Sequence, residues 1–155
     1  MMNSPIYNLI MDNLVWVSVF GLIWTVLTIA GLWKMFTKAG VAGWKAIIPV
    51  YNGYILYKIA WQPKMFWWML GCSVLGAVLY EMGYDNGNMM MIYISYAFNI
   101  IQAIIGAVLA YNISLAYGHG IGYFIGLYLL PALFQMIIGF GSSRYLGNRY
   151  DNAVL

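Results

Sequence analysis

The chain has 155 residues, of which 64% are hydrophobic, 18% aromatic and only 7% charged, against roughly a quarter charged in soluble domains. That composition excludes a freely soluble protein, and the length leaves no room for a separate soluble domain beside several membrane-spanning helices. The formal net charge is +3, but five of the seven basic residues (Lys34, Lys38, Lys45, Lys58 and Lys64) lie between two apolar runs. Basic residues in that setting report topology and contact with anionic lipid, so no nucleic-acid partner is expected.

The first thirteen residues, MMNSPIYNLIMDN, contain neither Lys nor Arg. They lack the basic start of a secretory signal peptide, so the first hydrophobic run is expected to be retained. LVWVSVFGLIWTVLTIAGLW, residues 14–33, carries no charge and has the length needed to cross a hydrocarbon layer of roughly 30 Å. It is the first expected span.

Residues 34–64 contain KAGVAGWKAIIPVYNGYILYK, too basic to cross and too apolar to hang in water. Gly40, Gly43, Pro49, Asn52 and Gly53 break it into pieces too short to span. Such pieces lie at the interface with rings buried and lysine stems snorkelling to water. A re-entrant loop is the alternative, provided the bundle shields the backbone near Pro49 from lipid. The lipid- or partner-facing residues expected here are Lys38, Trp44, Lys45, Tyr51, Asn52, Lys58 and Trp61.

MFWWMLGCSVLGAVLY, residues 65–80, forms the second span and ends at EMGYDNGN, which offers turn residues and two acids. The long run of residues 89–117 forms the third. After YGHGIG, residues 123–140 form a fourth, with a kink at Pro131, which opens the helical ladder near Leu127. The tail covers residues 142–155. The positive-inside rule places residues 34–64 in the cytoplasm and the N-terminus outside. Four spans return the tail, with Ser142, Ser143, Arg144, Arg149 and Asp151, to the outside. An odd number of crossings is the alternative that takes both arginines to the cytoplasm.

The blocks KAGVAGWKAIIPVYNGYILYKIAW and LAYGHGIGYFIGLYLLPALFQMIIGFGSSRY carry a resemblance. With its KAGxxGWxAIIPxYN pattern, the chain resembles a family of small, uncharacterised bacterial multi-span membrane proteins, some of which bear a signal peptidase I label. The resemblance implies a small multi-span protein and supplies no catalytic residue.

The residues give little support to a peptidase. A serine–lysine pair needs both groups on one face within hydrogen-bond reach. Here the lysines are expected in the cytoplasm, Ser4, Ser142 and Ser143 outside, and Ser114 reads as an ordinary polar helix residue. His119 is the sole histidine and Cys72 the sole cysteine. The acids Asp12, Glu81, Asp85 and Asp151 are expected on the side opposite His119. Neither a metal site nor a cofactor is expected.

Gly118, Gly122 and Gly126, with Gly106 on the third span, have the spacing of close helix packing. Asn99, Gln102, Asn112 and Gln135 are the candidates for a polar cavity, since polar side chains at membrane depth face the bundle interior. The whole of residues 1–155 therefore reads as one all-α membrane domain of four transmembrane helices, in a bacterial cytoplasmic membrane. Its expected role is non-catalytic: an interaction or accessory subunit, with the bilayer and a membrane protein partner or a homo-oligomer as its contacts. A small oligomeric transporter or channel is the alternative, and a membrane peptidase the least supported.

Overall fold

The computed structural model describes residues 5–151, with side chains from residue 13 onward. Among these residues it is wholly helical. The first helix, α1 (Pro5–Lys38), runs well past both expected ends. It stops because Gly40 adopts φ +72°, which lets the N–H groups of Gly40 and Val41 return to the carbonyls of Thr37 and Phe36. This double return satisfies carbonyls that every helix end leaves without a partner.

A single 3₁₀ turn, Gly43–Ala46, follows. Gly43 sits directly beneath the Trp33 ring, where any Cβ would collide. The chain then reverses at Val50, which takes φ +67° and ψ −50° as the Tyr51 N–H bonds to the Pro49 carbonyl at 2.7 Å. This is a γ-turn of the strained sense, costly for a β-branched residue. It launches α2 (Tyr51–Ala60), ten residues long and thus only about 15 Å from end to end. Ile55, Tyr57, Ile59 and Ala60 are buried, so the basic segment forms a folded cap on the bundle.

Pro63 opens α3 (Pro63–Asp85) in the first-turn position, where a missing N–H costs nothing. Gly87, at φ +62°, closes α3 with the same double return seen after α1. Asn88 caps α4 (Met89–Ala116) by accepting from the N–H groups of Met90 and Met91. The two helices pack antiparallel, with Gly76 admitting the Phe98 side chain.

The expected fourth span, residues 123–140, is not one helix. It divides into α5 (Ile121–Leu129) and α6 (Pro131–Phe140). The two fold back on each other, so that Gly126 lies under the Phe134 ring and the Tyr123 and Phe134 rings meet edge to face at 5.6 Å. A kinked helix could not bring positions eleven apart together, because at 1.5 Å per residue they would stand about 16 Å apart. Pro131 therefore ends one helix and starts another. Each arm reaches about 14 Å, half a bilayer. Among the described residues three helices are long and apolar enough to cross a membrane: Asn13–Lys38 of α1, Pro63–Asp85 and Met89–Ala116.

The hairpin brings the tail back to the end where α1 and α4 finish, which corrects the expected separation of tail and lysines. Here the C-termini of α1, α2, α4 and α6 converge, and their orphan carbonyls are met by donors from distant parts of the chain. Tyr117 donates to Met35 O at 2.8 Å and Tyr145 to Ile59 O at 2.6 Å. Asn148 donates to Lys58 O at 3.0 Å and to Trp61 O, and the Leu146 N–H to Ala116 O at 2.7 Å. Lys38 donates to Ile138 O at 2.6 Å and Gly141 O at 2.7 Å. The core lies at this same end, built from Met35, Phe36, Ile55, Ile59, Ile113, Leu127 and Ile138. All seven basic residues of the chain are found there too.

In a Cys72→Ala background, single cysteines at Lys58 and Gly147 should react with an impermeant maleimide from the same side of sealed vesicles, and one at Asn86 from the other. Labelling of the Gly147 position from the Asn86 side would overturn the hairpin.

Candidate functional site

Two regions gather the residues singled out in the sequence. The first is the basic cap. Trp44, Tyr51 and Lys58 are exposed there, and Lys45 stands 5.9 Å from the centre of the Tyr51 ring, a cation–π approach. Trp61 is half-buried and stacks on Tyr57 at 6.2 Å. Lys38 and Asn52 behave differently from expectation and turn inward. Lys38 ties α1 to the end of α6, and Asn52 donates to Ala46 O at 3.2 Å, holding the 3₁₀ turn to α2. Both have open carbonyls within reach, which outweighs snorkelling to water.

The glycine register does not form one packing face. Gly118 lies outside α4 at φ +76° and closes that helix with the double return to Ser114 and Leu115. Gly106 and Gly122 have no neighbour where a Cβ would stand, whereas Gly126 packs on α6. A backbone-to-backbone helix crossing lies elsewhere, where Gly139 of α6 meets the backbone of Gly31 in α1. No regular spacing links these two glycines, so a search for spacing-four repeats passes over them.

The second region is a cleft of about 450 Å³ between α4, the α5–α6 hairpin and the side of α2. Asn99, Gln102 and Gln135 line it with Gly106, Pro131 and Tyr128, and the other lining residues are aliphatic. Asn99 is exposed, while Gln102 and Gln135 are half-buried. Among the described residues none of the three amides has a hydrogen-bond partner. An amide left unpaired in an apolar medium costs roughly 2–7 kcal/mol, so three around one cleft create a strong demand for polar company. Asn112, the fourth candidate, is not among them. It is 4% exposed, with its Nδ2 unpartnered, and lies on the α4 stripe of Ile105, away from the cleft. Among the described residues Tyr57 is the other buried side chain with an orphan polar atom, and burial pushes its phenol up to about 12.

The structure also joins two residues expected on opposite faces. His119 Nε2 lies 2.7 Å from Ser143 Oγ, and the Tyr123 ring covers the imidazole at 3.6 Å. A serine beside a histidine is the minimal nucleophile–base pair, but neither residue lines the amide cleft. Among the described residues no three of His, Cys, Asp and Glu come together. The pair fastens the tail to the α4–α5 loop. Asp151 is likewise on the His119 side, close enough to Tyr145 to help burial raise its phenol pKa. Asp12 and Ser4 lie outside the described side chains.

These features define an all-helical protein with three candidate membrane-spanning helices. The chain belongs to a family of unknown function, DUF5684, whose model matches residues 44–148. That match takes in the cap from Trp44 onward, the cleft, and the tail as far as Asn148. No curated protein and no solved structure matches the chain.

Burial, and then the nearby Lys38 ammonium, hold the His119 imidazole below its ordinary value. A histidine with a depressed folded pKa binds protons less readily than the unfolded chain, so stability rises with pH across that interval. The contribution is complete above the ordinary value near about 6.5. It falls as pH drops through that value and levels off below the folded one. Thermal midpoints taken from about pH 8 to about pH 5 should fall, and His119→Gln should flatten the decline. An unchanged profile would remove His119 from the tail's anchoring.

Proposed function

We propose that this is a non-catalytic membrane accessory protein whose basic, aromatic cap engages anionic lipid headgroups at the cytoplasmic face of a bacterial cytoplasmic membrane. The observation that carries this reading is the gathering of all seven Lys and Arg side chains at one end of the helices. With α1, α3 and α4 as the spans, the positive-inside rule orients that end to the cytoplasm and the N-terminus outward. Arg144 and Arg149 then join the lysines, and no topological conflict is left. Exposed Trp44, Trp67 and Trp68 edge the cap, in keeping with aromatic anchoring at the headgroup layer.

A second reading, a small transporter, draws on the amide cleft, since polar groups at membrane depth often mark a solute path. The two part company in reconstituted vesicles, where only the transporter gives a solute flux that Gly106→Leu abolishes.

In nanodiscs of mixed phosphatidylglycerol and phosphatidylcholine, the protein should retain phosphatidylglycerol preferentially. Lys45→Ala, Lys58→Ala and Lys64→Ala should each lower that preference by several-fold, the equivalent of roughly 1 kcal/mol per basic group at an anionic surface. Equal retention of both lipids by the parent protein would overturn the reading.

A further inference from the structure

The amide cleft lies at a depth that says what can enter it. Along α4, Asn99 and Gln102 stand about 25 and 21 Å from the basic end, close to the middle of the helix at its 1.5 Å rise. The hairpin tip, Leu130 and Pro131, is also far from water. On that side α4 approaches α5 but not α6, so the cleft runs between α4 and α6 beneath the tip, with Asn99, Tyr128 and Pro131 exposed at its mouth. The mouth therefore opens sideways into the bilayer, and its natural visitor arrives from the lipid phase.

The lining fixes the chemistry of that visitor. No charged side chain borders the cleft, so a charged headgroup would find no counter-ion in a medium where unpaired charge is expensive. Each amide presents both N–H donors and a carbonyl acceptor. An ester or ketone can only accept, whereas a hydroxyl both donates and accepts and can satisfy both halves of an amide. The remaining walls, including Leu56, Leu109, Ile113 and Leu127, suit an alkyl chain. A volume of about 450 Å³ holds on the order of fifteen heavy atoms at roughly 30 Å³ each, the size of a glycerol group with the first carbons of its chain.

We infer that the cleft between α4 and the α5–α6 hairpin binds an uncharged, hydroxyl-bearing lipid of the acylglycerol class, admitted sideways from the bilayer and held by Asn99, Gln102 and Gln135. This site is independent of the basic cap and of anionic lipid.

The test uses a diazirine-bearing monoacylglycerol as probe, on the full chain in nanodiscs, with labelled positions mapped by mass spectrometry. Labelling is expected around Asn99–Ile113 and Leu127–Gln135. Monoolein should compete, while methyl oleate, which has no hydroxyl, and oleate, which is charged, should not. Gln102→Leu combined with Gln135→Leu should lower cleft labelling by about tenfold, equivalent to about 1.4 kcal/mol. Gly106→Leu, which fills the cleft and keeps every amide, should lower it to a similar degree. The lipid-facing groove beside Trp67, Trp68 and Leu75 serves as internal control, and its labelling should be the same in parent and variants. Equal competition by methyl oleate, or cleft labelling indifferent to both sets of substitutions while the control holds, would overturn the proposal, as would absence of cleft labelling in the parent. A fall at cleft and groove alike would mean lost folding, and Asn99→Ala then replaces the double variant under the same criteria.

Discussion

A helix leaves its last four carbonyls without partners, and four helices of this protein finish at the same end. The way those carbonyls are met governs the rest of the structure. Tyr117, Tyr145, Asn148, Lys38 and the Leu146 N–H each reach across the chain to a carbonyl at or just past one of the four termini. The negative ends of these four helix dipoles outnumber the positive ends of α3 and α5, which start there, and so favour cations at this end. Charge placement, tail docking and the location of the core thus follow from one requirement. Burial raises the pKa of the Tyr117 and Tyr145 phenols above the ordinary value, so both remain donors well into alkaline solution.

The opposite arrangement holds at mid-depth. There α3 and α4 stay packed through Gly76 and Phe98 while α1 stands apart from both, exposed Val, Leu, Ile, Phe and Trp face outward, and the few polar side chains border a cleft. Since lipid tails are as apolar as the side chains they touch, there is little to gain from packing that region tightly. Specific structure is concentrated where water begins, and the membrane-embedded part is left open to its solvent. The cap and the cleft accordingly use different physics: long-range charge and aromatic anchoring in one, short-range hydrogen bonding in a poorly screened setting in the other.

How much of this was legible in the sequence depended on the range of the interaction. The α4 helix was read to within a residue, because a long uncharged run between Asn88 and a glycine-rich joint leaves little choice. The shared face of Asn99, Gln102 and Gly106 was legible from the helical register of α4, and Gln135 drew attention as a polar residue in an apolar run; Asn112 did so equally, but it lies on another stripe of α4, away from the cleft. The hairpin was not. A run of apolar residues around Pro131 looks the same whether the proline kinks a helix or separates two, and the deciding contact is the Phe134 ring over Gly126. The tail misled for a similar reason, as Tyr145 and Asn148 act on carbonyls 86 to 90 residues earlier. A donor of that range leaves no local mark. The spacing of Gly118 to Gly122 and Gly126 is that of packing glycines, but its positive φ gives its backbone the capping role at the end of α4.

The crossing of Gly31 with Gly139 has a consequence for the order in which the molecule is made. Among the described residues only α6 packs along the apolar length of α1, while the 3₁₀ turn, Tyr117 and the core around Met35 and Phe36 meet its end, so the apolar length of a nascent α1 enters the bilayer as a solitary rod. Its true neighbour emerges from the ribosome some hundred residues later. Until then α3 and α4 can pair without it, and the final joining of first helix to last is a search across that long separation, a slow step by the general relation between contact separation and folding rate.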